Sequence, residues 1–185
     1  MSAADTLPAV TLTAAALNAG AIGRISDHFD EPDWLRAERA AWWERAAQVS
    51  PPTGLEEEWR RTDLASLPRD GALLLDAPRI DVSPLPGATE AGVIVADLRA
   101  AIREHADLVR RHLGAAAGPS SHAHFWALAQ AAWTGGLFVH VPRGVRVDGT
   151  IVVRSVLPQA DATYLPVTLV VADEGSDVTI LEEVA

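Results

Sequence analysis

The spacing of apolar residues changes once along this chain, and that change limits what it can fold into. Up to Trp133 they recur every three or four positions; beyond it they alternate to the end of the sequence. A period near 3.6 lines one side of a helix, and a period of 2 lines one face of a strand. Residues 1–133 are therefore read as a helical N-terminal region with a Pro/Gly-rich connector at about 51–95, and residues 134–185 as the start of a β core. The fold class is α+β.

Four helices are predicted. The first covers Thr11 to about Phe29, with Leu12, Ala15, Ala16, Ala19, Ile22 and Ile25 at helical spacing. The second begins at Asp30-Glu31-Pro32-Asp33, where acids and an early proline suit the free amides and dipole of a helix N-terminus, and it stops at Pro51-Pro52. Its buried stripe is expected through Trp34, Leu35, the stem of Glu38, Ala41, Trp42, Arg45 and Val49, which leaves Trp43 in need of another contact. The third runs from Asp97, as N-cap, to Leu113 and is ended by Gly114; the fourth runs from about Ser121 to Trp133. Between the second and third, Pro68, Gly71, Pro78, Pro84, Pro86 and Gly87 break any long element and leave one short strand, Ala72 to Leu75.

After Trp133 the strands are brief. Leu137, Val139 and Val141 alternate before Pro142-Arg143-Gly144, Val145 and Val147 before Asp148-Gly149, and Ile151 and Val153 follow. A longer pair, Tyr164 to Val171 and Asp177 to Val184, is joined by Asp173-Glu174-Gly175-Ser176. Valine-rich strands this short, with no helix between them, suit a sandwich or the coils of a β-solenoid. Asp177 to Val184 still reads as a strand where the sequence stops, so the expectation is the front part of a longer protein, or an open end covered by a partner or a second copy.

Composition removes function classes. The chain has no cysteine, and all 15 of its basic residues are arginine. Disulfides, a thiolate nucleophile, a zinc ribbon and a cysteine ligand for an iron–sulfur cluster are excluded. Without lysine there is neither a Walker A loop nor a Schiff-base pyridoxal site in the usual forms. A net charge of −10, with basic runs no longer than Arg60-Arg61 and Arg110-Arg111, argues against nucleic acid. The uncharged stretch Thr6 to Gly23 is interrupted by Pro8 and Asn18 and is too alanine-rich for a spanning or secretory segment, so a cytoplasmic chain with no membrane contact is expected.

Candidate chemistry is sparse. His122 and His124 are a possible metal pair, but two positions apart on a helix they point about 200° apart, and a loop and first helical turn explain them. Asp27-His28-Phe29-Asp30 reads as a cap and turn, His105 as part of a helix stripe, and His140 as the polar phase of a strand. Glu56-Glu57-Glu58 reads as a solvated acidic turn. A solenoid acting on carbohydrate through Asp148, Asp173 or Glu182 is an alternative, as is a small metal-binding module through His122 and His124. No residue is assigned a catalytic, cofactor-binding or metal-binding role.

The residues also carry a family resemblance. Glu57-Glu58-Trp59-Arg60-Arg61-Thr62-Asp63-Leu64 resembles the E-x-W-[RK]-Y-T-D-L element of SufD-type iron–sulfur cluster assembly proteins, which follows a Glu-Pro-x-Trp-Leu helix matched here by Glu31-Pro32-Asp33-Trp34-Leu35. Phe125 to Trp133 and Gly135 to Val145 are similar to that family's F-x-A-L-N-x-A and D-G-L-x-V-x-V-P-K-G-V segments. Arg61 replaces the usual tyrosine, Gln130 the usual asparagine, and Thr150 a frequent proline. The resemblance runs from about Leu12 to Val184 and corresponds to the first part of a family member. It implies the opening coils of a right-handed parallel β-helix after the helices. It further implies a non-catalytic scaffold subunit in a SufBCD-like complex, partnered by a SufB-like paralogue and a SufC-like ATPase. It transfers no ligand to these residues: any transient cluster is expected on the assembled complex, held by thiolates of another chain.

Overall fold

The computed structural model describes residues 11–12, 18–64, 72–75, 80–82, 87–115, 122–155 and 162–184. In chain order the elements are β1 (Thr11–Leu12), α1 (Ala19–His28), α2 (Asp33–Gln48), β2 (Ala72–Leu74), β3 (Ile80–Val82), β4 (Ile94–Asp97), α3 (Leu98–Glu104), α4 (Ala106–His112), α5 (Ala123–Ala132), β5 (Gly135–Val141), β6 (Arg146–Ser155), β7 (Ala162–Thr163), β8 (Pro166–Ala172) and β9 (Asp177–Val184). Every element after Trp133 is a strand, while β1 to β4 stand among the helices before it. Among the described residues no helix is long and apolar enough to cross a membrane.

The strands form three sheets of three, ordered β1-β2-β7, β3-β6-β9 and β4-β5-β8. Each later strand lies parallel to an earlier one. Every β5 residue pairs with the residue 31 positions on, from Gly135 with Pro166 to Val141 with Ala172. Strand β6 pairs in parallel with β9, 31 positions on at Arg146 and 29 from Thr150 onwards, and β2 pairs in parallel with β7, 90 positions on. The first strand of each sheet runs the other way: β1 on β2, β3 on β6 and β4 on β5 are antiparallel. The chain therefore builds a lower level (β2, β5, β6) and an upper level (β7, β8, β9), with antiparallel strands below.

Burial follows from this arrangement. Leu137, Val139 and Val141 of β5 meet Ile151 and Val153 of β6 in one core, joined by Val93. Phe138, on the other face of β5, packs with Leu98, Ala101 and Ile102 of α3, Val109 of α4, Leu35 of α2, Trp133 and Val171. Strand β5 is buried on both faces, which is why it reads as a nearly continuous apolar run. A third cluster, Ile22, Ile25, Leu75, Ala131 and Ala132, takes Trp42 and Trp43 against it and supplies the contact that Trp43 lacked in the sequence.

Several helix limits differ from expectation. The first helix starts at Ala19 because the Asn18 side chain accepts the Ala21 amide as N-cap; Leu12 is in β1, and Ala15 and Ala16 lie outside the described residues. The third does begin on Asp97, whose carboxylate accepts the amides of Arg99 and Ala100. It then breaks at His105 (φ −131°, ψ 37°), which ends α3 and starts α4. The stretch read as connector contributes β3 and β4 as well as the expected strand at Ala72. The two ribbons around Asp148-Gly149 are one strand, β6, irregular between Arg146 and Thr150.

The buried side of α2 is rotated from the predicted stripe. Leu35, Arg39 and Ala46 are buried, while Glu38, Ala41 and Arg45 are exposed. The cause is tertiary. Arg39 is fully buried and its guanidinium donates to both carboxylate oxygens of Glu31, at 2.7 and 2.8 Å, and to the Ala131 carbonyl at 2.9 Å. The Ser26 hydroxyl donates to the same carboxylate, and the guanidinium lies 4.2 Å from the centre of a Trp133 ring. With both carboxylate oxygens and all three guanidinium nitrogens hydrogen-bonded, a buried ion pair becomes tolerable, and here it ties α1 and α2 to the corner leading into β5.

Candidate functional site

The surface that departs most from an ordinary sealed domain is the upper level. In β8, Val167, Leu169 and Val171 face the helices, so Thr168, Val170 and Ala172 face the other way, in register with the buried Leu137, Val139 and Val141 below. Those three upper residues are exposed, Val170 by 40%, and Leu181 of β9 is exposed by 48%. Strands β7, β8 and β9 each end their sheet among the described residues. Each presents a row of backbone amides and carbonyls on its outer side, which is a template for another strand.

Two stacked turns and a set of charge pairs hold the levels in register. Pro142-Arg143-Gly144-Val145 lies beneath Asp173-Glu174-Gly175-Ser176, with the Gly144 amide donating to the Glu174 carbonyl at 3.1 Å, and the Asp173 and Asp177 amides donating to the carbonyls of Val141 and Val145 at 3.0 Å. Gly144 and Gly175 both turn through left-handed backbone, φ 70° and 73°, which glycine adopts without steric cost. Arg143 pairs with Glu174 at 2.9 Å, Arg146 with Asp177 at 3.4 Å, Arg154 with Glu183, and His140 with Asp173 at 3.0 Å. In each pair the base is on the lower level and the acid on the upper. Within the upper level the Thr168 hydroxyl donates to Glu182 at 3.1 Å, and Glu182 stands in register with the buried Val153. Tyr164, just before β8, has a buried hydroxyl with no hydrogen-bond partner among the described residues, and burial pushes its phenol up to about 12.

The candidates marked in the sequence are scattered. The His124 ring nitrogen Nδ1 lies 2.7 Å from the Val49 carbonyl, which ties α5 to the end of α2, while His122 lies against Trp59 with ring centres 5.0 Å apart. Both histidines make structural contacts at the start of α5. Asp27 holds Arg36, and Asp30 occupies left-handed backbone at φ 48°, so Asp27-His28-Phe29-Asp30 is the end of α1 and the turn towards α2. His105 sits beside Phe138. Glu56 folds back on Thr53 and Gly54, and hydrogen bonds from backbone amides, its own first and then that of Thr53, hold its carboxyl below the usual range.

Asp148 is exposed at the irregularity in β6, and Asp173 and Glu182 are engaged by His140 and Thr168. Asp177 and Glu182 stand five positions apart in β9, about 16 Å at the usual rise, which keeps the Asp173 turn well away from Glu182. Sequence reasoning missed the Glu31–Arg39 pair and the four base–acid pairs between levels. The second set left a signal: the partners recur about 31 positions apart, as the strands do.

Known proteins give this geometry a context. The family model for the SufBD protein N-terminal region matches residues 79–153, from β3 to near the end of β6. An iron-sulfur cluster assembly SufBD family protein of Staphylococcus epidermidis is 33% identical over 93 residues, half of this chain and 20% of its own length. One from Synechocystis is 34% identical over 93 residues, and one from Mycobacterium tuberculosis is 36% identical over 91 residues, covering 19% and 11% of their lengths. The chain thus spans a fifth or less of these relatives. Over these residues the chain is similar to the N-terminal region of SufB/SufD-family proteins.

Proposed function

We propose that the chain is a non-catalytic, cytoplasmic part of an iron–sulfur cluster assembly scaffold. Its stacked levels form the first coils of a right-handed parallel β-helix. Their outer surface meets a cysteine-bearing SufB-like paralogue in a complex that also takes a SufC-like ATPase. The single observation that carries this reading is the parallel pairing at a 31-residue interval, which leaves the sheets open at the upper level. Parallel strands joined by a full circuit of chain are how a solenoid propagates, and each repeat needs a neighbour to cover its apolar face.

The division of chemistry follows from composition. A cluster is bound chiefly by thiolates and this sequence has no cysteine, so the cluster is cargo handled by the partner. The role of the present residues is positional: α3, α4 and the Glu31–Arg39 anchor brace sheet β4-β5-β8 from one side, and the strand edges are held in register for association.

The test is co-expression of the tagged chain with SufB-like and SufC-like proteins from one source. Recovery of a ternary complex that acquires cluster absorbance on reconstitution with iron and sulfide is expected. A chain that purifies free of both, while the two others assemble and load normally, would overturn the reading.

A further inference from the structure

We draw no further inference here: the strongest candidate, the largely apolar groove of about 270 Å³ between α2 and α5 lined by Trp42, Arg45, Gln48, Val49, Trp126 and Ala127, is an unpartnered face, and nothing in the structure shows what covers it.

Discussion

The two ends of the strand stack are built by opposite rules. Below, β1, β3 and β4 run antiparallel to their neighbours, and residues 87–92 form the tight turn that leads into β4. Above, β7, β8 and β9 run parallel to the strands they cover. The antiparallel end is the better covered: Val93, just before β4, is only 6% exposed and β4 is half-buried throughout, whereas β8 carries exposed residues at alternate positions. Parallel pairing requires a whole circuit and repeats the level beneath it, so whatever lies on top inherits the same unsatisfied edge. Among the described residues each sheet has an edge strand at either end, and the two ends differ in strand direction and in coverage.

The difference can be attacked at several points. The largest effect is expected from Arg39→Ala, which strands the buried Glu31 carboxylate and removes the ring contact on Trp133. A loss of about 3–5 kcal/mol in urea unfolding is expected, felt at both ends because the anchor braces the shared lower level. Gly136→Ala should separate the ends. A Cβ at that position falls onto the Val167 carbonyl, so β5 and β8 must part. A cost of about 1–3 kcal/mol is expected, with amide exchange faster in β8 while β4 stays protected.

Asp97→Ala acts on the closed side by uncapping α3, and about 1 kcal/mol should be lost with β9 undisturbed in its exchange. Arg143→Ala removes an exposed pair between levels and should cost under about 1 kcal/mol, a loss that vanishes in high salt. The last check is titration. Tyr164 is the sole tyrosine, and its phenol ionises near 12 when folded against an unfolded value of about 10. Below pH ~10 both states are neutral and stability is full; between about 10 and 12 the unfolded state ionises first and stability falls. Tyr164→Phe should flatten that window, as read by phenolate absorbance in the parent and by melting temperature in both.

Local chemistry made part of this architecture legible. Asp97 as a cap, the turn Asp173-Glu174-Gly175-Ser176, and Asp177 to Val184 as a strand all follow from neighbours in sequence, and all are present. What escaped depends on distant partners. Arg39 looks like a surface residue until Glu31, Ala131 and Trp133 surround it, and that burial turned the α2 stripe away from Glu38 and Arg45. Strands β3 and β4 were hidden among prolines and glycines because their order comes from pairing with β6 and β5. Alternation identified β5 and β8 but not that one lies on the other, since a period of 2 fixes the face of a strand and leaves its neighbour open. The candidate surface was legible in its charges, with Arg143, Arg146 and Arg154 and only acids beyond, though not in the register that sets them opposite one another.

The irregularity in β6 has an arithmetic consequence. Arg146 is matched to Asp177, 31 positions on, but Thr150 is matched to Thr179, only 29 on, so two residues of β6 are looped out at Asp148-Gly149. Because two is even, Val147 before the loop and Ile151 after it point to the same side, and Val178 and Ile180 follow suit. A single-residue excess carried in regular extended backbone would swap inside for outside downstream. Length changes at this irregularity thus keep the faces when made in pairs, whereas a single residue has to be absorbed locally as a bulge.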